Sequence, residues 1–163
     1  KREHALVQKA LTELRKIDKL HILADNVEER LGIISLFIED IHFNLVVKLL
    51  NDRFGIQVRG GCACAGTYGH FLLDVSHEKS KHITDLINHG DLSQKPGWIR
   101  ISLHPTMTDG ELDQIIDALK QIRDHHQEWS KDYVYDNHLN EFRHINEPED
   151  KTEWVIPWFE LDE

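Results

Sequence analysis

The chain has 163 residues, 40% of them hydrophobic and 29% charged, which suits one domain with a proper core and is too short to expect two. Nineteen basic against 29 acidic residues give a net charge of −10, which repels phosphate backbones and anionic lipid surfaces, so neither nucleic acid nor a membrane is expected as a partner. No apolar run approaches the roughly 18 residues of a membrane span.

The chain opens on Lys1 rather than Met, directly in an amphipathic pattern, and is therefore expected to be a piece of something longer. Residues 3 to 17 place Leu6, Val7, Ala10, Leu11, Leu14 and Ile17 on one helical stripe, the signature of a surface helix over a core. The run Leu31 to Ile38 is almost wholly apolar and isoleucine-rich, as expected of a strand covered on both faces. Leu45, Val46, Leu49 and Leu50 predict a helix within 42 to 54 that Gly55 is placed to end. Residues 56 to 59 alternate, with Ile56 and Val58 on one side and Gln57 and Arg59 on the other.

The same alternation returns in Trp98 to Leu103, where Ile99, Ile101 and Leu103 share a face and Arg100 takes the opposite one. Between these strands Ile83, Leu86 and Ile87 suggest a short helix ending at Gly90. Thr108 and Glu111 form a capping-box pattern ahead of Leu112, Ile115, Ile116, Leu119 and Ile122, which predicts the clearest helix of the chain. Beyond about residue 124 the pattern dissolves into His125, His126 and a polar, aromatic tail with Trp154, Trp158 and Phe159, expected to pack back on the domain.

Two features carry chemistry. If the helices cover the apolar faces of one sheet, Arg59 and Arg100 both project from its other side, where a guanidinium suits bidentate capture of a carboxylate; the alternatives for each are a solvated residue or an ion pair. The segment Val58 to Gly69, VRGGCACAGTYG, is a glycine-rich loop leaving a strand, on which Cys62 or Cys64 beside Arg59 could act as a thiolate nucleophile. The cysteines could equally be small buried hydrophobes, or a Cys-x-Cys metal site with His70. With no secretion signal and only these two cysteines, a reducing compartment is expected, the cytoplasm by default. Twelve histidines are scattered without a metal-binding spacing, His42 reads as a helix-terminal residue, and no metal is expected.

The series HFNLVVKLLNDRFGIQVRGGCACAG, then WIRISL, then a Thr-x-x-Glu-capped amphipathic helix, resembles the C-terminal domain of the class V aminotransferase family, which includes cysteine desulfurases and selenocysteine lyases. The resemblance covers roughly residues 1 to 123 and leaves 124 to 163 as a C-terminal extension packing on the domain or on a partner. It implies an α+β fold: a small, mainly antiparallel sheet of about three or four strands with helices packed on one face, the small domain of a fold-type-I enzyme dependent on pyridoxal phosphate. Carried over by position, Cys64 falls on the loop cysteine that accepts sulfur in desulfurases, Arg100 on the residue that binds the substrate's α-carboxylate, and Arg59 on the arginine of the Arg-x-Gly turn beside it. Where such desulfurases carry histidines just before the cysteine, Cys62 and Ala63 stand here, and no proline soon follows Cys64.

The resemblance places the cofactor-bearing lysine in a larger N-terminal domain, so this piece alone is expected neither to hold the cofactor tightly nor to turn over. The parent would act on a small amino acid, with homodimerisation typical. Three readings stay open: a sulfur or selenium lyase using Cys64, an aminotransferase or other lyase with structural cysteines, and a non-catalytic interaction module.

Overall fold

A computed structural model describes residues 1–62 and 66–147 of the chain. Cys64 and the tail residues Trp154, Trp158 and Phe159 lie outside the described residues. The elements run α1 (Arg2–Leu14), β1 (Leu20–Ile22), β2 (Ile33–Ile38), α2 (Phe43–Phe54), β3 (Arg59–Gly61), α3 (Gly66–Leu72), α4 (His77–Asn88), β4 (Trp98–Ser102), α5 (Asp109–Trp129), β5 (Tyr133–Asp136) and β6 (Glu141–His144).

Strands β1, β2, β4 and β3 form one antiparallel sheet in that order, and β5 and β6 a separate hairpin. The fold is the α+β arrangement that the resemblance implies. On one face of the sheet Ile34, Leu36, Ile38, Ile99 and Ile101 meet Leu6, Leu11 and Leu14 of α1, Val46, Leu49 and Leu50 of α2, and Leu112, Ile116, Leu119 and Ile122 of α5 in a single buried cluster. Each such fully buried side chain contributes about 1.5–3 kcal/mol relative to exposure. Ile17 joins the cluster from beyond the end of α1.

Helix ends follow their residues. His42 accepts the Asn44 backbone N–H to cap α2, and Gly55, at φ 66°, closes it in the left-handed conformation open to glycine. Thr108 and Glu111 form the reciprocal capping box of α5. Ser76 accepts from Lys79 N–H to start α4, which ends just before Gly90, at φ 80°.

Three expectations are corrected. Strand β2 is not covered on both faces: Ile34, Leu36 and Ile38 are buried, but Ile33 is 47% exposed and Ser35 and Phe37 are only partly covered. An unbroken apolar run does not distinguish one buried face from two. The hydrogen-bonded part of β3 begins at Arg59 and includes both glycines, while Ile56 and Val58 pack against the core from ahead of it.

Helix α5 runs unbroken through residue 123 to Trp129, because a helical ladder continues through polar residues without an apolar stripe. Trp129 packs near Phe54, with ring centroids 6.0 Å apart, and beneath the Arg53 guanidinium at 4.4 Å. Residue 123 lies inside α5, and residues 133–144 build the β5–β6 hairpin against α2.

Two glycines set how closely α2 approaches the sheet. A Cβ on Gly60 would lie 2.9 Å from both Asn44 and Val47 and 3.0 Å from the Phe43 ring, and one on Gly97 would lie 2.5 Å from the same ring. Phe43 thus fills the space that both glycines leave empty. A Gly97→Ala substitution is expected to lower stability by about 1–3 kcal/mol through overpacking, read as a shifted urea midpoint with an unchanged slope.

Candidate functional site

The pairing register turns the two arginines into neighbours. Arg100 faces Ser35 on β2 and Arg59 on β3 directly across the ladders. Residues directly opposite on antiparallel strands project from the same face, with Cβ atoms about 4.5–5.5 Å apart. Because Ile99 and Ile101 point into the core, the row Ser35, Arg100, Arg59 lies on the other face of the sheet. Arg59 is exposed and Arg100 partly so. Neither has an ion pair or side-chain hydrogen bond among the described residues. Two like charges held side by side without a counter-charge make a place where an anion is stabilised, and a carboxylate fits two planar guanidiniums.

Two residues further along each strand the same face changes character. Trp98 is buried although it shares the Arg100 side of β4, because α3 brings Gly69 against its ring, where a Cβ would lie 3.2 Å away. Gly61, opposite Trp98, has φ 116°, which turns the chain out of β3 at little cost for glycine. The arginine row is thus bordered at one end by an aromatic floor and by the turn at Gly61 that leads to Cys62.

Cys62 is a free, partly buried thiol. Together with Arg59, Gly60 and Gly61 it lines a groove of about 850 Å³ between α2, the free edge of β3 and the β5–β6 hairpin. Cys64 lies outside the described residues, so its distance from the arginines is not part of this geometry. The alternative of a Cys-x-Cys metal site with His70 rests in part on Cys64, which lies outside the described residues; among those described no group of three potential ligands comes together. His70 instead bonds the Ser80 hydroxyl at 2.6 Å.

His42, expected as a helix-terminal residue, is the α2 cap, and burial lowers its pKa below the ordinary histidine value. His138 hydrogen-bonds the Gly90 carbonyl at 2.8 Å, and His144 lies edge-on to Tyr133. The Tyr133 hydroxyl donates to Asp52 at 3.1 Å; burial first, and then that carboxylate, push its pKa up to about 12.

Sequence reasoning missed Ser35, since only the strand register brings it beside Arg100. It also missed the groove, since nothing in the spacing after residue 124 marks a hairpin that returns to α2. A signal was present in the alternation of Tyr133 and Tyr135 and of Phe142 and His144. An Arg59→Gln substitution is expected to raise stability by up to about 1 kcal/mol by relieving the cross-strand repulsion. The gain should shrink in thermal unfolding at about 1 M salt, where the screening length falls to about 3 Å.

The family described as Aminotransferase class-V matches residues 1–115 of this chain. Among solved structures, the apo cysteine desulfurase from Thermococcus onnurineus NA1 is similar at 20% identity with a TM-score of 0.51, over 76% of this chain and 25% of that one. The cysteine desulfurase CsdA from Escherichia coli, in an S-sulfonic acid form, is 18% identical with a TM-score of 0.45, over 73% of this chain and 24% of that one. This chain thus spans about a quarter of the length of each. No curated protein matches it. At such identity the Thermococcus structure speaks for the fold alone, and it agrees with the antiparallel sheet and helices described above. With the family match reaching from α1 into α5, across both arginine strands and the cysteine loop between them, the chain belongs to the class V aminotransferase family.

Proposed function

We propose that this chain is the substrate-facing small domain of a pyridoxal-phosphate enzyme that acts on a small amino acid, and that the parent is a cysteine desulfurase. The observation that carries the reading is the Arg100–Arg59 pair on the open face of the sheet, which has no ion pair among the described residues. A carboxylate laid against Arg100 gains two parallel charge-assisted hydrogen bonds, with Ser35 on one side and Arg59 on the other. That anchors one end of an amino acid and leaves its α-carbon and side chain directed away from the sheet.

The donor set on the open face fits a substrate carboxylate rather than a cofactor. The groups that hold pyridoxal phosphate, its lysine included, are proposed to come from a larger domain of the parent. When bound there, the cofactor supplies an electron sink for bond cleavage at the amino acid. This chain's part is to orient the substrate by its carboxylate and to present the loop cysteine.

In the desulfurase reading the Cys64 thiolate attacks the sulfur of substrate cysteine. The sulfur–carbon bond breaks, its electron pair stays with the carbon and is protonated, alanine leaves, and the transferred sulfur remains on Cys64 as a persulfide. Support for Cys64 is its position two residues past Cys62, on the glycine-rich exit from β3. Selenocysteine would serve as substrate by the same steps. One sequence feature favours a second reading, an aminotransferase or other lyase with structural cysteines: Cys62 and Ala63 stand where desulfurases of this kind often carry histidines.

Among the described residues no helix is long and apolar enough to cross a membrane. We place the parent in the reducing cytoplasm on the strength of the two cysteines in this chain, and as a homodimer by family habit.

The test is sulfide release from L-cysteine by the full-length parent. Cys64→Ala is expected to abolish release while the cofactor's visible absorbance stays. Arg100→Gln is expected to raise KM roughly ten- to hundredfold, the loss of about 1.5–3 kcal/mol in charged hydrogen bonds. Release indifferent to Cys64, with turnover dependent on a keto acid, would favour the aminotransferase.

A further inference from the structure

His42 does two jobs with one ring. Its Nδ1 accepts the Asn44 backbone N–H at 3.2 Å and so caps α2. An accepting Nδ1 places the proton of the neutral ring on Nε2, and Nε2 is buried with no hydrogen-bond partner among the described residues. The ring itself lies 4.6 Å from Phe43, 5.2 Å from Tyr135 and 5.4 Å from Phe142. Tyr135 and Phe142 face each other across β5–β6, their rings 4.7 Å apart. The aromatic pair of the hairpin therefore closes on the residue that caps α2.

The hairpin lies wholly beyond the residues matched by the family. Besides His42 it is fastened to α2 by Asn44, whose amide donates to the Asn140 carbonyl, by Lys48 to Glu147 at 2.9 Å, and by Tyr133 to Asp52. Leu139, Asn140, Phe142 and Arg143 wall the groove whose other side is Arg59 to Cys62.

A second proton would put an N–H on Nδ1 facing the N–H of Asn44, two donors with nothing between them. It would also set a positive charge at the positive end of the α2 dipole. The surroundings do not compensate. On α2, Lys48 is already paired with Asp52 and Glu147. In the preceding turn Asp40 is held by Lys19. Lys79 of α4 and Lys95 share with His42 a cavity of about 300 Å³. On the hairpin Asp136 is paired with Arg143, Glu141 is exposed, and His144 sits against Tyr133; Asp91 faces the Tyr135 side of the hairpin.

We propose that His42 is a proton-operated latch: neutral, it holds the hairpin against α2 as a wall of the groove beside Arg59 and Cys62, and protonated, it releases the hairpin and the first turn of α2 together. His42 is thus a positioning residue. Only its consequence for the substrate face rests on the proposed function; the latch itself is a property of this chain. Burial lowers the folded-state pKa below 6.5, so the unfolded or released state binds the proton more readily. The latch is therefore fully engaged above about pH 6.5 and weakens as pH falls below that value.

Hydrogen exchange read by mass spectrometry on the full chain, corrected for the intrinsic effect of pH, tests this between about pH 7.5 and 5. In the native sequence, residues 133–147 and the amides of Asn44 to Val46 are expected to lose protection together below about pH 6.5, by at most about tenfold per pH unit, the limit for one proton. His42→Asn keeps a capping acceptor but removes the ring: the hairpin should exchange fast at every pH while α2 stays protected. His42→Phe keeps the ring but removes the acceptor: the hairpin should stay protected at every pH while the first turn of α2 frays. Unchanged hairpin protection in the native chain down to about pH 5, or the native pH dependence persisting in His42→Asn through His138 or His144, would overturn the latch. If the variants do not fold, the native series alone decides. No cofactor or substrate enters the readout, so failure here is separate from failure of the desulfurase reading.

Discussion

The distance between α2 and the β3–β4 edge of the sheet governs the rest of the molecule, and the Phe43 ring with two glycines sets it. Gly60 and Gly97 leave a space that a single methyl on either strand side would deny to the ring. Close-packed interiors do not absorb such a change without moving an element. With Phe43 seated, β3 is held where Arg59 lies opposite Arg100, and the chain leaves β3 through Gly61 toward the cysteine loop. A looser α2 would carry β3 with it, and the arginine row would lose its spacing before the core lost its cohesion.

Electrostatics single out the same row. In a chain of net charge −10 several cations find carboxylates, among them Arg2 with Asp109, Lys9 with Asp113, Arg15 with Asp25, Arg53 with Asp132 and Arg123 with Asp124. These are surface pairs of small individual worth. Arg59 and Arg100 instead stand side by side on a face without an acidic partner among the described residues. Carrying an uncompensated pair of like charges costs stability in the free domain and strengthens a bound carboxylate, the trade expected of a binding site rather than of a stabilising network.

The proposed latch would add a second layer of control to that row. The hairpin sits beyond the reach of the family match, yet it is secured to α2 at four points, and its wall faces the same strand edge that holds Arg59. Of the four, the His42 contact alone joins the cap of the helix to the hairpin rings, so a change at one ring nitrogen reaches both elements. Burial of that imidazole and the accepting role of its Nδ1 toward the Asn44 N–H make the neutral form the one that the packing admits.

The residues alone determined α1, α2, α4 and the start of α5, because periodic leucines and isoleucines, the Thr108–Glu111 box and Gly55 act locally, within a turn or two of backbone; α3, whose first residues read as part of the glycine-rich loop, they did not. They also determined that Arg59 and Arg100 leave the apolar face, since strand alternation has a period of two, and they placed both arginines and the cysteine loop in one recognisable order. Only the tertiary structure decided that β2 is open on one side, because covering depends on what lies above a strand and not on its own composition. Only the register between β2, β4 and β3 put Ser35 and Arg59 on either side of Arg100, a pairing across residues far apart in the chain. The hairpin's return to α2, and with it the enclosure of His42, was likewise decided by contacts between distant segments, such as Asn44 with Asn140, 96 residues apart. Local spacing carries no record of contacts at that range, because their energy is realised only when the chain has folded back on itself.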